Sequence, residues 1–265
     1  MKKTLLIVAA ALAAGMISTQ AQNVYSQNIV GYYNITVPAN GYAFIANQLV
    51  QGSDSAQTNN DIQTVLSNGF TSDVNAINNS TLYRWNGSGY TLYQYFNQSD
   101  ANNYWGNNVA GWYDLGGSLA SGVSLGLGGG HFIYNPTGSP LTNTVVGVVN
   151  QGTNVLQVTP GFNTYAIIPP VSAALDSTLV NFPGTSDVNG LNNDVYYQWN
   201  GTGFTLFQYF NQSDANNYWG NNVAGWYDLG GSLITSAAYP KVGQGFFINH
   251  ITGGTLNWTN SFVAP

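Results

Sequence analysis

The sequence predicts an all-β protein made of two tandem antiparallel β-sandwich-like units with little helix. Three observations carry this. Charged residues make up only 5% of the 265, there is no Glu, and Asn (35) and Gly (32) abound. Glu, Lys and Arg sustain helices, whereas Asn and Gly favour turns. Short β-branched and aromatic runs alternate with Gly/Asn turns, the pattern of a sandwich. Finally, one long block occurs twice.

The block Thr71 to Leu119 aligns with Thr185 to Leu233 at an offset of 114, with 40 of 49 pairs identical, and Gln94 to Leu119 recurs unchanged as Gln208 to Leu233. Weaker similarity extends on both sides. Gly130-His131-Phe132-Ile133 matches Gly245-Phe246-Phe247-Ile248, and Tyr42-Ala43-Phe44-Ile45 resembles Tyr165-Ala166-Ile167-Ile168. Each unit is a normal domain size. The expected organisation is residues 1–21 as a signal peptide, 22–144 as the first unit and 145–265 as the second.

Within a unit, Ile29 to Val37 is a β-branched and aromatic run, and Tyr42 to Asn47 follows a Pro-Ala-Asn-Gly turn. A helix is expected only at Asp61 to Leu66, capped by Asn60. The clearest hairpin joins Leu82–Trp85 to Tyr90–Tyr95 through Asn86-Gly87-Ser88-Gly89, because Asn-Gly tolerates the positive φ of a tight turn. The second copy repeats it around Asn200-Gly201-Thr202-Gly203. Further strands are expected at His131–Tyr134, Thr144–Val149, Phe246–Asn249 and Thr255–Trp258.

Lys2-Lys3, the apolar run Leu5 to Ala14 and the small residues of Thr19-Gln20-Ala21 read as a secretory signal cleaved after Ala21. Export to the extracellular space or cell surface is therefore expected. Without Cys there are no disulfides, so stability must come from core burial. No later run of 18 apolar residues predicts a transmembrane helix. The formal charge of −6 argues against a nucleic-acid partner, which needs clustered Lys and Arg.

The run Ile29-Val30-Gly31-Tyr32-Tyr33-Asn34-Ile35-Thr36-Val37-Pro38, then Gly41 to Asn47, the Tyr83-Arg84-Trp85-Asn86-Gly87 hairpin and the closing Val242-Gly243-Gln244-Gly245-Phe246-Phe247-Ile248-Asn249 resemble a family of secreted tandem β-sandwich proteins of Verrucomicrobia and Planctomycetes, itself uncharacterised. They are also similar to C-terminal β-sandwich modules of Bacteroidetes surface proteins. The resemblance implies a Gram-negative source and a cell-surface location, and it assigns no catalytic residue.

Catalytic chemistry finds few groups. The two His residues, His131 and His250, align with Phe246 and Asn135, so neither is shared by the copies. Gly122-Val123-Ser124-Leu125-Gly126 has the spacing of a hydrolase elbow, but a glycine run follows it where a helix is required. A non-enzymatic protein without cofactor is the expectation. Asp100 and Asp214 sit in amide-rich stretches and are weak Ca²⁺ candidates through oxygen ligation. The aromatics are more informative. Tyr104, Trp105 and Trp112 with Asp100 and Asn103, repeated as Tyr218, Trp219 and Trp226 with Asp214 and Asn217, are the candidate glycan-stacking sets; the alternative is that these rings fill the core. The expected function is an exported structural or adhesive surface or matrix protein presenting two near-identical segments. A carbohydrate-binding module is the alternative. Extracellular glycans or other surface and matrix proteins are the expected partners.

Overall fold

The computed structural model describes residues 29–51, 60–234, 239–251 and 253–263. The expected signal peptide and its cleavage site at Ala21 lie outside the described residues. The fold is mostly β, and each unit packs two antiparallel sheets face to face, neither closed into a barrel. No helix among the described residues is long and apolar enough to cross a membrane.

In the first unit, β1 (Val30–Val37), β8 (Leu141–Val149) and β3 (Leu49–Val50) form a three-stranded sheet in the order β1-β8-β3. It faces a five-stranded sheet of β2 (Gly41–Ala46), β7 (Gly130–Asn135), β4 (Thr81–Trp85), β5 (Tyr90–Phe96) and β6 (Gly111–Asp114). The second unit repeats the plan. Strands β10 (Gly161–Tyr165), β14 (Phe246–His250), β11 (Val195–Trp199), β12 (Phe204–Phe210) and β13 (Gly225–Asp228) lie over the pair β9 (Gly152–Val158) and β15 (Leu256–Phe262). Alternation explains the layers. In β1 every second residue from Tyr33 to Val37 is buried and those between are mostly exposed, because successive side chains of a strand point to opposite faces.

The junction between units differs from the expected one at 144/145. That point falls inside β8, which stays paired with β1 from Leu141 to Val148. Strand β9 begins the second unit at Gly152, so the turn at Asn150-Gln151 separates the two ladders. The upstream correspondence also shifts. Gly41 pairs with Asn135 and Gly161 with His250, which makes Phe162, not Tyr165, the counterpart of Tyr42. Hydrogen-bond register, which decides what faces what, outweighs the likeness of two short Tyr-Ala runs.

Among the described residues three short helices appear: α1 (Ile62–Val65), α2 (Gln98–Trp105) and α3 (Gln212–Trp219). Helix α1 is capped by Asp61, whose carboxylate accepts from the Gln63 N–H at 2.7 Å; Asn60 instead accepts from the Gln51 N–H with its side chain. Helices α2 and α3 occupy the amide-rich stretches around Asp100 and Asp214, where no helix is expected from sequence.

The first core gathers Ile35, Leu49, Leu82, Trp112 and Ile133; the second gathers Ile167, Tyr196, Phe207, Trp226 and Trp258. A third apolar cluster, centred on Phe44, Phe132 and Phe247, lies where the outer faces of the five-stranded sheets meet. The outer faces of these sheets carry rings as well, so both faces of each sheet are covered.

The units meet through matched contacts. The Ala46 N–H donates to the Gly243 carbonyl (2.9 Å), and its counterpart Ala166 donates to Gly128 (2.8 Å). Trp85 lies edge-on to Phe247 (5.8 Å) and its counterpart Trp199 edge-on to Phe132 (5.1 Å). This is the geometry of an isologous dimer built within one chain. Gln48 adds an asymmetric link. Its amide donates to the carbonyls of Ile167 (2.6 Å) and Pro169 (2.9 Å), and its oxygen accepts from the Gly243 N–H.

Candidate functional site

The residues singled out by the repeat separate on folding. Trp112 and Trp226 are fully buried core rings. The Trp112 indole N–H donates to the Leu66 carbonyl at 2.8 Å. Neither ring presents a face to a sugar, because β6 and β13 turn them inward as their strands alternate. Trp105 and Trp219 are half-buried. Each packs against a glycine of positive φ, Gly117 or Gly231, where a Cβ would lie 2.3–2.4 Å from the indole. Tyr104 (44% exposed) and Tyr218 (46%) remain accessible, each stacked on the phenyl ring beneath it, Phe96 or Phe210. Asn103 and Asn217 are exposed on the helices.

Asp100 and Asp214 serve the helix N-termini. The Asn97 side chain accepts from the Asp100 N–H (2.9 Å), and its amide donates back to the Asp100 carboxylate (2.7 Å). The Ser72 hydroxyl donates to the same carboxylate at 2.6 Å, and the second copy repeats every contact through Asn211, Asp214 and Ser186. This is a reciprocal capping arrangement. It makes a helix start of the amide-rich stretch and engages Oδ2 of each carboxylate. Among the described residues no group of three or more His, Cys or acidic side chains is placed to hold a metal.

The His residues are sequestered. His250 Nδ1 lies 2.6 Å from Asp194 Oδ1, with both side chains fully buried. His250 Nε2 lies 3.0 Å from the Gly254 carbonyl, so the ring nitrogen that a nucleophile would need is already engaged. In the first unit Asn135 and Ser80 stand in the same places. His131 is buried with neither ring nitrogen hydrogen-bonded, and burial, then the neighbouring Arg84, lower its pKa to about 3. Ser124 pairs with Asp61 in an isolated bridge, and its carbonyl accepts from Arg84 Nε at 3.3 Å. No helix follows it, so the elbow geometry is not formed.

A concave feature lies elsewhere, at the unit interface. A crevice of about 300 Å³ is lined by Tyr42, Tyr83, Tyr90, Phe132 and Trp199. Tyr83 and Trp85 project outward from β4 while Leu82 faces the core, so strand alternation delivers these rings. The Trp199 indole N–H donates to the Tyr42 carbonyl at 3.3 Å, fixing one wall to the other. Burial, aided at Tyr83 by the adjacent Tyr42 hydroxyl, pushes the Tyr83 and Tyr90 phenols up to about 12. They stay protonated at neutral pH and can donate.

The crevice is open at one end of the interface and filled at the other. Phe44 stacks on Phe132 at 4.2 Å, leaving Tyr42 only edge-on to that ring at 6.4 Å. The counterpart of Phe44 is Thr164, and there Phe162 lies flat on Phe247 at 4.3 Å with Trp85 edge-on to it at 6.3 Å. Sequence reading recognised the hairpins that carry Tyr83, Tyr90 and Trp199 but assigned them no role. The available signal was that Leu82 stands on one face of β4 while Tyr83 and Trp85 make the opposite face aromatic, which marks a sheet covered on both sides. No family model, curated protein or solved structure matches this chain.

Proposed function

We propose that this protein is an exported, non-enzymatic adhesive protein that holds a glycan in the aromatic crevice between its two units. The crevice itself supports the reading. It offers flat aromatic faces for the apolar side of a sugar ring, and protonated phenols to hydrogen-bond the hydroxyls at its rim. Its volume is at the lower end for small-ligand sites, which suits one sugar ring rather than a larger cofactor. Tyrosine and tryptophan combine an apolar body with a polar tip and suit such a half-wet site. A glycan array probed with the protein and with Trp199→Ala tests this. Binding that is lost in the folded variant is the expected outcome. The core residue Trp112 is unsuitable for this comparison, since its truncation costs about 3–5 kcal/mol of stability.

A second reading, a structural or matrix role, draws on the repeated segments. Tyr104 and Leu115 (44% and 61% exposed) match Tyr218 and Leu229 (46% and 65%), so the same apolar surface is presented twice. Linked identical sites raise avidity by about 10²–10⁴. Light scattering and electron microscopy of the purified protein test this, with a non-adherent monomer as the contrary result.

A further inference from the structure

The crevice continues into a second cleft. Tyr42 and Trp199 also border a space of about 290 Å³ that runs between the exposed edge of β1, at Asn34 and Thr36, and the segment carrying Lys241 and Gln244. One groove therefore has an aromatic half and a mixed half, in which Asn34, Thr36, Lys241 and Gln244 stand among apolar side chains such as Ile35, Pro38 and Val242. Among the described residues the permanent positive charges are Arg84 and Lys241. Arg84 lies on the inner face of its sheet, with Nε on the Ser124 carbonyl, whereas Lys241 is exposed and borders the groove. No residue lining either half is acidic, although the chain contains ten Asp. Gln244 ties the halves together. Its side-chain oxygen accepts from the Lys241 N–H (3.1 Å), and its amide donates to the Trp199 carbonyl (3.3 Å).

We infer that the groove selects an acidic glycan, with one sugar ring stacked between Tyr42 and Trp199 and the carboxylate of a neighbouring uronate residue at Lys241. Thr36 and Asn34, on the exposed edge of β1, form the side of the cleft along which the second sugar lies. The net charge of −6 limits this preference to sparsely charged chains, since a densely sulfated polymer is repelled by the rest of the surface. The inference rests on the glycan-binding reading above and names its ligand class.

The test is an array of paired oligosaccharides, each uronate-containing member beside its carboxyl-reduced form, followed by titration of the best pair. The uronate member is expected to bind about fivefold more tightly at low salt, the size of a partly exposed charge pair. Lys241→Gln should bring the pair to parity, and Trp199→Ala should weaken both. Equal affinity within every pair, or a preference that survives Lys241→Gln, overturns the acidic-glycan inference and leaves the glycan-binding reading standing. Absence of binding to every member overturns both.

Discussion

Phe44 and Thr164 stand at the same place in the two units, each opposite the ring that faces the other unit, Phe132 for the former and Phe247 for the latter. The larger side chain occupies the flat face of Phe132 and holds Tyr42 away from it. Where threonine leaves that face open, Phe162 takes it. One side chain thus decides which end of a near-symmetric interface is open.

Phe44→Thr should therefore let Tyr42 settle on Phe132, as Phe162 does on Phe247, and narrow the crevice. Glycan binding should fall more than tenfold, with a stability loss of about 2–4 kcal/mol from the deleted ring volume. Binding titration alongside a thermal melt checks this. A folded variant with unchanged affinity would show that the crevice is not the site.

The units approach closely at Gly130 and Gly245. A Cβ on Gly245 would sit 2.8 Å from the Gly130 Cα and 2.8 Å from the Ile45 carbonyl oxygen, both backbone atoms that cannot step aside cheaply. Gly245→Ala should cost about 1–3 kcal/mol, the range of overpacking strain. Gly138→Ala, which meets nothing within 4 Å, should be near neutral. Urea denaturation midpoints of the two variants provide the comparison.

His131 makes stability depend on pH. Its burial keeps the folded ring neutral down to about pH 3, whereas the unfolded chain takes up the proton at its ordinary value of 6.5. The unfolded state thus binds more protons between these values. The contribution of the neutral ring is complete above pH 6.5 and is lost progressively as pH falls towards 3. His131→Phe, the residue found at the equivalent position Phe246, should flatten that part of the profile. It should also gain about 1–2 kcal/mol at neutral pH by removing two buried unpaired nitrogens. Unfolding measured from pH 3 to 7 should show the gap between the two curves widening as pH falls from 6.5 towards 3; a constant gap would contradict the assignment.

Asp194 and His250 form a pair whose counterparts, Ser80 and Asn135, make the corresponding flanking bonds in the first unit. The Thr71 N–H donates to Ser80 Oγ (3.1 Å) as the Thr185 N–H does to Asp194, and Asn135 Nδ2 donates to the Ser139 carbonyl (2.8 Å). His250→Asn alone strands the buried Asp194 oxygen and should cost about 1–3 kcal/mol. Adding Asp194→Ser should recover most of it. A double-mutant cycle with additive losses would mean that the two positions are not coupled.

Much of the fold was legible because its signals are local. Asn86-Gly87 and Asn200-Gly201 specify hairpins, and the alternation in Val30–Val37 specifies which face is buried. The unit junction was misplaced because β8 carries no turn residue at Asn143 to Gly147 that outweighs its pairing with β1. The short helices at Gln98 and Gln212 were hidden by amide-rich composition, although Asn97 and Asp100, with their repeats, form a capping signature. Trp112 and Trp226 were misplaced as glycan-stacking rings for a different reason. A tryptophan in a strand reads the same from sequence whether its face meets solvent or core, and Trp112 and Trp226 meet the core.

The sequence by itself determined the all-β class, the duplication and the strand periodicity, since all three follow from residue type and spacing along the chain. Only the tertiary structure decided how the two units face one another. That arrangement depends on contacts between residues far apart in sequence, such as Trp85 with Phe247 and Gln48 with Gly243. The crevice follows from it. Its rings come from strands of both units, and its opening depends on the difference in volume between Phe44 and Thr164, whose consequence exists only once the two sheets have been brought together.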